Sequence, residues 1–300
     1  MPAWASLAVL LALVLEWTLR EPPERLHPVS LFGRLVTPFD REWRYASASG
    51  LLVALSLPTL AGGVAYIAVA LGATLHAAFG TLVAGLVLFS ASSLRMLTDA
   101  ANTVIEESAS EPETAREALV ALVGRDRREL SPGEMRSAAV ESSAENLADG
   151  LVAPLLAFGL AANVSLPFAA AAAAWVKAVN TLDSMLGYPE KSHGTASARL
   201  DDLVMFVPAR LAAALIAVTA RSPDPLLTAR RWADEPASPN SGWPMGTLAG
   251  ALTVRLEKPG AYTLNPVADL PSVEDARGGV RLVTVAGLLT YLLAGVLAWG

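Results

Sequence analysis

The chain has 300 residues, 53% of them apolar and only 17% charged, with a formal net charge of −6 and no cysteine. Disulfides, thiolate nucleophiles and Cys-ligated zinc or iron–sulfur sites are therefore excluded, and the acidic balance argues against nucleic acid as a partner. The apolar residues come in blocks long enough to cross a bilayer, so an integral membrane protein is expected.

Pro2 to Leu19 is a first span, interrupted only by Glu16. It lacks a basic leader and a small-residue cleavage site, which favours a retained helix over a removable signal peptide. The next stretch, REPPERLHPVSLFGRL, reads as a turn-rich loop in which Pro22, Pro23 and Pro28 forbid a regular helix. His27, before a proline, suits a loop hydrogen bond, a ligand or a base. From Gly50 to about Ser92 the chain is apolar for two spans, folded back at Gly72 to Thr74, with His76 an interfacial residue at the tip. Gly62 and Gly63 would let a neighbouring helix approach closely.

Ser93 to Asn146 is the first sizeable hydrophilic part. Glu111 and Pro112 mark a helix start, followed by Ala115, Leu119 and Leu122 at amphipathic spacing. Ser131, Pro132 and Glu134 look like an N-cap, a first-turn proline and an early acidic residue. Arg125, Arg127 and Arg128 suit phosphate or, beside a membrane, lipid headgroups. A second hairpin runs over Leu147 to Ala162 and Leu166 to Leu182, turned at Asn163 to Ser165, and both halves are short for spans. Leu203 to Ala220 is apolar but holds Pro208 and Arg210, so it reads as broken, interfacial or re-entrant. If it does not cross, every Lys and Arg falls on one side or at that boundary. Trp243 to Leu256 reads as a cytoplasmic or partly inserted helix, and Gly279 to Trp299 as the last crossing. The expected architecture is an all-α polytopic membrane bundle of about six spans plus interfacial or re-entrant helices. It forms a single integral membrane domain over residues 1–300 in the cell membrane, both termini outside, with cytoplasmic loops at 20–49, 93–146 and 183–278.

Polar side chains cluster between these apolar segments. In VESSAENLADGLVAPLL, Glu141, Glu145 and Asp149 recur at i, i+4 and i+8, drifting by about 40° per step on a helix and sharing one face. In KAVNTLDSMLGY, Lys177, Asn180 and Asp183 recur every third residue. In SARLDDLVMFVPAR, Arg199, Asp202 and Arg210 share a helical stripe with Asp201 beside it. A single such charge suits a helix cap or an interface anchor. Three clusters bracketing apolar segments suit a buried polar site, because ionisable groups at membrane depth face a bundle interior or a wet cavity.

The chain has no GxxxxGK[ST] loop, no GxGxxG after a strand, no HExxH and no GxSxG elbow. AENLADGLVAP does not fit the DxxDGxxAR pattern of membrane alcohol phosphotransferases, and Asn180 with Asp183 only loosely resembles the Asp-rich magnesium sites of membrane prenyltransferases. A closer likeness lies in a series of strings. They are Leu26-His27-Pro28-Val29, Val123-Gly124-Arg125-Asp126, Ala139-Val140-Glu141-Ser142 with Ala144-Glu145-Asn146, and Asp149-Gly150 with Ala153-Pro154-Leu155. They continue through VNTLDSM with Gly187-Tyr188, ARLDD with Pro208-Ala209-Arg210, and Ser238-Pro239-Asn240 with Gly242-Trp243-Pro244. Over most of its length the chain resembles the adenosylcobinamide-phosphate synthase family of cobalamin biosynthesis, multi-pass membrane enzymes that attach aminopropanol or its phosphate to cobyric acid. The opening departs from the family pattern at Leu15-Glu16 and Arg20-Glu21-Pro22, and so do the positions around Met245, Thr195 and Glu257-Lys258-Pro259.

The resemblance implies an ATP-dependent carbon–nitrogen ligase with magnesium, acting on adenosylcobyric acid and aminopropanol phosphate, in the bilayer and alone or with other enzymes of the pathway. It casts Glu145, Asp183, Asp201 and Asp202 as metal ligands, hard carboxylate oxygens being what magnesium takes. Arg125, Arg199 and Arg210 would hold phosphate, with His27, Asp126, Lys177 and Asn240 also on substrate. Glu141 or Asp149 would take the amine proton, and Asn146 and Asn180 would orient the reacting groups. A membrane transporter and a non-catalytic membrane sensor are the alternatives. Inverted repeats with broken helices would support the transporter; the two hairpins suggest such a repeat, but their sequences do not resemble each other. The sensor would lack several of these acidic and amide positions together.

Overall fold

A computed structural model describes residues 2–19, 25, 27–122, 130–188 and 190–299. The described residues form fourteen α-helices and one two-stranded antiparallel hairpin. The all-α expectation therefore holds apart from that hairpin. The chain divides into two compact units, one made of Met1–Ser93, Asp149–Met205 and Thr290–Gly300, the other of Leu94–Ala148 and Phe206–Leu289.

Among the described residues four helical stretches are long and apolar enough to cross a membrane, Ala46–Leu75, Ala77–Ser110, Pro132–Ala161 and Val273–Leu297, or five if the broken pair Thr195–Val204 and Phe206–Thr219 counts as one. The expected count of about six is not reached by this measure. The N-terminal helix is apolar but short, and Leu166–Leu186, with Lys177 and Asp183 in its second half, is not among the four.

The first unit holds α1 (Pro2–Leu19), α2 (Pro28–Val36), α3 (Ala46–Leu75), α4 (Ala77–Ala91), α8 (Ala153–Ala161), α9 (Leu166–Leu186) and α10 (Thr195–Val204). Helix α2 corrects the sequence reading of this stretch as helix-free. Pro28 occupies the first helical turn, where no N–H is needed and the fixed φ already suits a helix, and Nδ1 of His27 caps the helix by accepting from Val29 N at 3.2 Å. The turn between α3 and α4 lies at His76 rather than Gly72 to Thr74. His76 is extended (φ −167°, ψ 145°), and its Nδ1 accepts from Ala78 N at 3.2 Å, so this residue caps the second helix of its hairpin. Gly62 does the packing job expected of it: a Cβ there would stand 3.1 Å from Ala171 O on α9, whereas one on Gly63 would meet nothing within 4 Å. The turn at Asn163 to Ser165 is where the sequence places it, with Ser165 Oγ accepting from Phe168 N to start α9. Val36, Val53, Ala54, Leu57, Leu182 and Leu186 form a core that ties α2 and α3 to the last turns of α9.

The second unit holds α5 (Arg95–Ser110), α6 (Pro112–Ala118), α7 (Pro132–Leu147), α11 (Phe206–Thr219), α12 (Asp224–Ala229), α13 (Gly242–Leu252), the strands β1 (Leu256–Lys258) and β2 (Tyr262–Leu264), and most of α14 (Val273–Leu297). Both helix starts read from sequence are present. Pro112 opens α6, and Ser131 with Glu134 makes a full capping box on α7, Glu134 Oε2 accepting from Ser131 N at 2.7 Å and Ser131 Oγ from Glu134 N at 3.3 Å. Arg136 fixes α7 to its surroundings, donating from Nε to Pro271 O at 2.7 Å and from Nη1 to Ser108 Oγ on α5 at 3.1 Å. Helix α13 ends at Thr253, whose φ of 55° is left-handed, before the chain enters the hairpin. The strands pair with Leu256 opposite Leu264 and Lys258 opposite Tyr262.

Two sequence expectations of shared helical faces fail for backbone reasons. Beyond Leu147 the α-helix passes into a π-helical turn, Ala148–Val152, so the 100° per residue projection that groups Glu141 with Glu145 does not extend through Asp149. The stripe through Arg199, Asp202 and Arg210 is likewise cut, because α10 stops at Val204 and α11 begins at Phe206.

Candidate active site

In the first unit the polar face of α9 is the organising element. Lys177, Asn180 and Asp183 are all half-buried there. Asn180 donates from Nδ2 to Asp149 Oδ2 at 3.4 Å, so the π-helical turn delivers its carboxylate to the amide of α9. Asp183, outside the four candidate spans, is the strained member. Its Oδ1 is buried with no hydrogen-bond partner, and its pKa is pushed up to about 6, first by burial and second by the repulsion of Asp202. Gly187 closes α9, its N–H bonding Asp183 O at 2.7 Å. A Cβ at Gly187 would collide with Asp183 Oδ1 and lie 2.8 Å from Asp183 O. The glycine of the LDSMLGY string is thus required by the carboxylate four residues before it. Asp201 is buried and Arg199 exposed on the same helix as Asp202.

In the second unit, Glu141 is buried to 3% exposure within a hydrogen-bonded network. Its Oε1 accepts from Ser137 Oγ at 2.7 Å and its Oε2 from Tyr262 OH at 2.5 Å, while Ser137 Oγ also accepts from Glu257 N at 2.8 Å. Each strand of the hairpin therefore contributes a bond to α7 around one carboxylate. Asn146 is turned back on its own helix, its Nδ2 donating to Ser142 O at 3.0 Å and Ser142 Oγ at 3.2 Å. Glu145 is half-buried. Arg210 and Asn240 come together: Nη1 of Arg210 donates to Asn240 Oδ1 at 2.7 Å and to Phe206 O at 2.9 Å. The guanidinium carbon lies 3.6 Å from the Phe206 ring centre and 5.2 Å from that of Trp243.

His27 is buried, with Nδ1 engaged in the cap of α2. Arg125 and Asp126 lie outside the described residues. Tyr262 and Ser137 were not singled out from sequence. Ser137 precedes Glu141 by one helical turn, a spacing that sequence alone offers, but Tyr262 reaches it only through a hairpin that no periodicity announces.

Among the described residues no group of three or more His, Asp or Glu is arranged to hold a metal. Magnesium, however, keeps much of its water and commonly takes only one or two carboxylates plus phosphate oxygens. Asp183 and Asp202 fit that smaller demand, because two carboxylates that repel one another, one with an orphaned buried oxygen, are relieved by a cation.

The CobD/Cbib protein family matches this chain over residues 9–289. The chain belongs to that family. A probable cobalamin biosynthesis protein CobD of Methanothrix thermoacetophila is 35% identical to it, over 96% of this chain and 95% of its own. The cobalamin biosynthesis protein CobD of Klebsiella pneumoniae is 35% identical over 98% of both chains, and that of Geobacter metallireducens 36% identical over 98% of this chain and 96% of its own. No solved structure matches the chain.

Proposed function

We propose that this protein, a membrane enzyme of cobalamin biosynthesis, joins adenosylcobyric acid to aminopropanol phosphate through an amide bond at the expense of ATP, giving adenosylcobinamide phosphate. A carboxylate and an ammonium group do not condense at neutral pH, so the carboxylate is first activated. In this reading it takes the γ-phosphoryl group of ATP as an acyl phosphate and releases ADP. The amine, having given up its proton, attacks the acyl carbon, and inorganic phosphate leaves.

The residues divide by chemistry. Asp183 and Asp202 are the magnesium ligands best supported, with Asp201 beside them and Glu145 a separate candidate on α7. When bound, the metal neutralises phosphate charge. Arg210, held by Asn240 and two aromatic rings, presents a fixed planar fork suited to a phosphate or carboxylate, and Arg125, Arg199, Lys177, Asp126 and His27 are further substrate contacts. Asp149, bonded to Asn180, takes the amine proton. Glu141, enclosed by two hydroxyl donors, is the other candidate base, and Asn146 orients a reacting group. The whole chain acts as one integral membrane domain of the cell membrane, its charged loops at 20–49, 93–146 and 183–278 cytoplasmic, alone or with other enzymes of the pathway.

The observation that carries the reading is the charge-strained Asp183 of the LDSMLGY string, about one helical turn along the same face of α9 from Asn180, which is bonded to Asp149. The test is product formation by purified protein in detergent given adenosylcobyric acid, aminopropanol phosphate, ATP and magnesium, followed by mass spectrometry. Product that requires all four supports the reading. Folded protein that binds the corrinoid and leaves ATP intact would overturn it and favour a carrier or sensor.

A further inference from the structure

Helix α2 has two apolar faces. Phe32 and Val36 pack inward with Leu182, Met185 and Leu186, which accounts for one. Leu31 and Leu35, one helical turn apart, are 48% and 43% exposed on the other, with exposed Arg34 between them. The chain then passes through a 3-10 turn, Thr37–Phe39, to six residues that end where α3 begins. These carry exposed Arg41, Arg44 and Tyr45.

The segment is ordered by aromatic contacts. Phe39 and Trp43 stack at 6.5 Å, Trp43 Nε1 donates to Phe39 O at 3.1 Å, and the Arg41 guanidinium lies 4.1 Å from the Trp43 ring centre. Arg44 lies 5.3 Å from the ring centre of Tyr45. Residues 25–45 hold four arginines against Asp40 and Glu42 in a chain of net charge −6, and Asp40 is itself paired with Lys191 at 2.8 Å and His193 at 3.3 Å. Helix α3 follows at once, with Leu51, Leu52 and Leu55 exposed along it as a lipid-facing helix requires.

An outward leucine pair gains nothing from water. Leucines, ring-stacked arginines and an exposed tyrosine at the mouth of a span are what a bilayer interface takes: aromatic bodies at headgroup level, apolar side chains at the acyl boundary, and cations on phosphates. We propose that α2 and residues 41–45 form a docking surface for anionic phospholipid, Leu31 and Leu35 entering the acyl boundary and Arg34, Arg41 and Arg44 holding headgroup phosphates. Lipid held there braces the packing of Phe32 and Val36 on the last turns of α9.

The chain has no cysteine, so Leu31→Cys and Leu35→Cys each create a unique thiol for a nitroxide label. In nanodiscs of phosphatidylcholine with phosphatidylglycerol, both labels are expected to be more accessible to oxygen than to a water-soluble nickel chelate, and a label at exposed Ser192→Cys the reverse. Labels at Leu31 and Leu35 as open to nickel as that reference would overturn the acyl contact. The Arg41→Gln, Arg44→Gln double variant, checked for unchanged helix content, is expected to lose several-fold of the preference for spin-labelled phosphatidylglycerol over phosphatidylcholine. An unchanged preference would overturn the headgroup contact.

Discussion

Asn240 accepts a hydrogen bond from Arg210 at 2.7 Å across 30 residues of sequence. The buried amide holds one edge of a guanidinium whose face is covered by Phe206, so the planar fork is oriented before any ligand arrives. Arg210→Lys keeps the charge but replaces the fork with a mobile point charge. A loss of about 1–2 kcal/mol in transition-state binding, roughly a tenfold fall in product formation, is expected. Steady-state assays of the purified variant check it, and an unchanged rate would remove Arg210 from the site.

Asp183 sets a pH dependence whose sign differs from that of a salt-bridged carboxylate. Its pKa rises from an ordinary 3.8 to about 6 on folding, through burial first and Asp202 second. The folded state thus binds this proton more tightly than the unfolded state, and its contribution to stability is full below pH 3.8 and lost as pH rises through about 6. Asp183→Asn removes the penalty. In magnesium-free buffer the variant is expected to melt at a higher temperature than wild type at pH 8 and at the same temperature near pH 4, by thermal unfolding in detergent.

Magnesium reverses that comparison if Asp183 and Asp202 hold it. Wild-type melting temperature at pH 8 rises with added magnesium and falls back with EDTA, following mass action, whereas Asp183→Asn and Asp202→Asn show little response. A response retained in both variants would move the metal elsewhere.

Gly187→Ala tests the same carboxylate without touching it. The new methyl occupies the place of Asp183 Oδ1 and crowds the backbone carbonyl of the same residue, so the end of α9 must shift. The expected outcome is a fall in product formation of at least about tenfold, since small misplacements at a reacting centre are amplified, with a weakened magnesium response.

Tyr262 and Glu141 are coupled through a 2.5 Å bond in a largely buried setting. Tyr262→Phe leaves one carboxylate oxygen without this donor and is expected to cost about 1–3 kcal/mol. In a double-mutant cycle with Glu141→Gln the two effects should fall short of additivity by about 0.5 kcal/mol or more. Additive losses would show that the hairpin does not brace Glu141.

Sequence spacing identified α9 well, because Lys177, Asn180 and Asp183 sit on an unbroken helix and the three-residue repeat survives folding. It failed where the backbone departs from regular geometry. The π-helical turn changes the phase just at Asp149, and the break at Met205 separates Arg210 from Arg199 and Asp202. A proline count concealed α2, because Pro28 falls in a first turn, where proline is an asset. Asn240 and Arg210 could be named separately as family-matching residues, yet their bond depends on a loop whose path no periodicity encodes. Tyr262 was invisible for a related reason, since three-residue strands are too short to show alternation.

The connection between α3 and α4 consists of His76 alone. A joint so short leaves no slack for one helix to enter a bilayer while the other waits outside, so the pair is expected to leave the ribosome and insert as a single helical hairpin. The same tightness makes this position hostile to inserted tags, because any added residues displace the imidazole that begins the second helix. Reporter fusions for mapping sidedness are better placed at the three-residue turn of Asn163 to Ser165, where the chain has length to give.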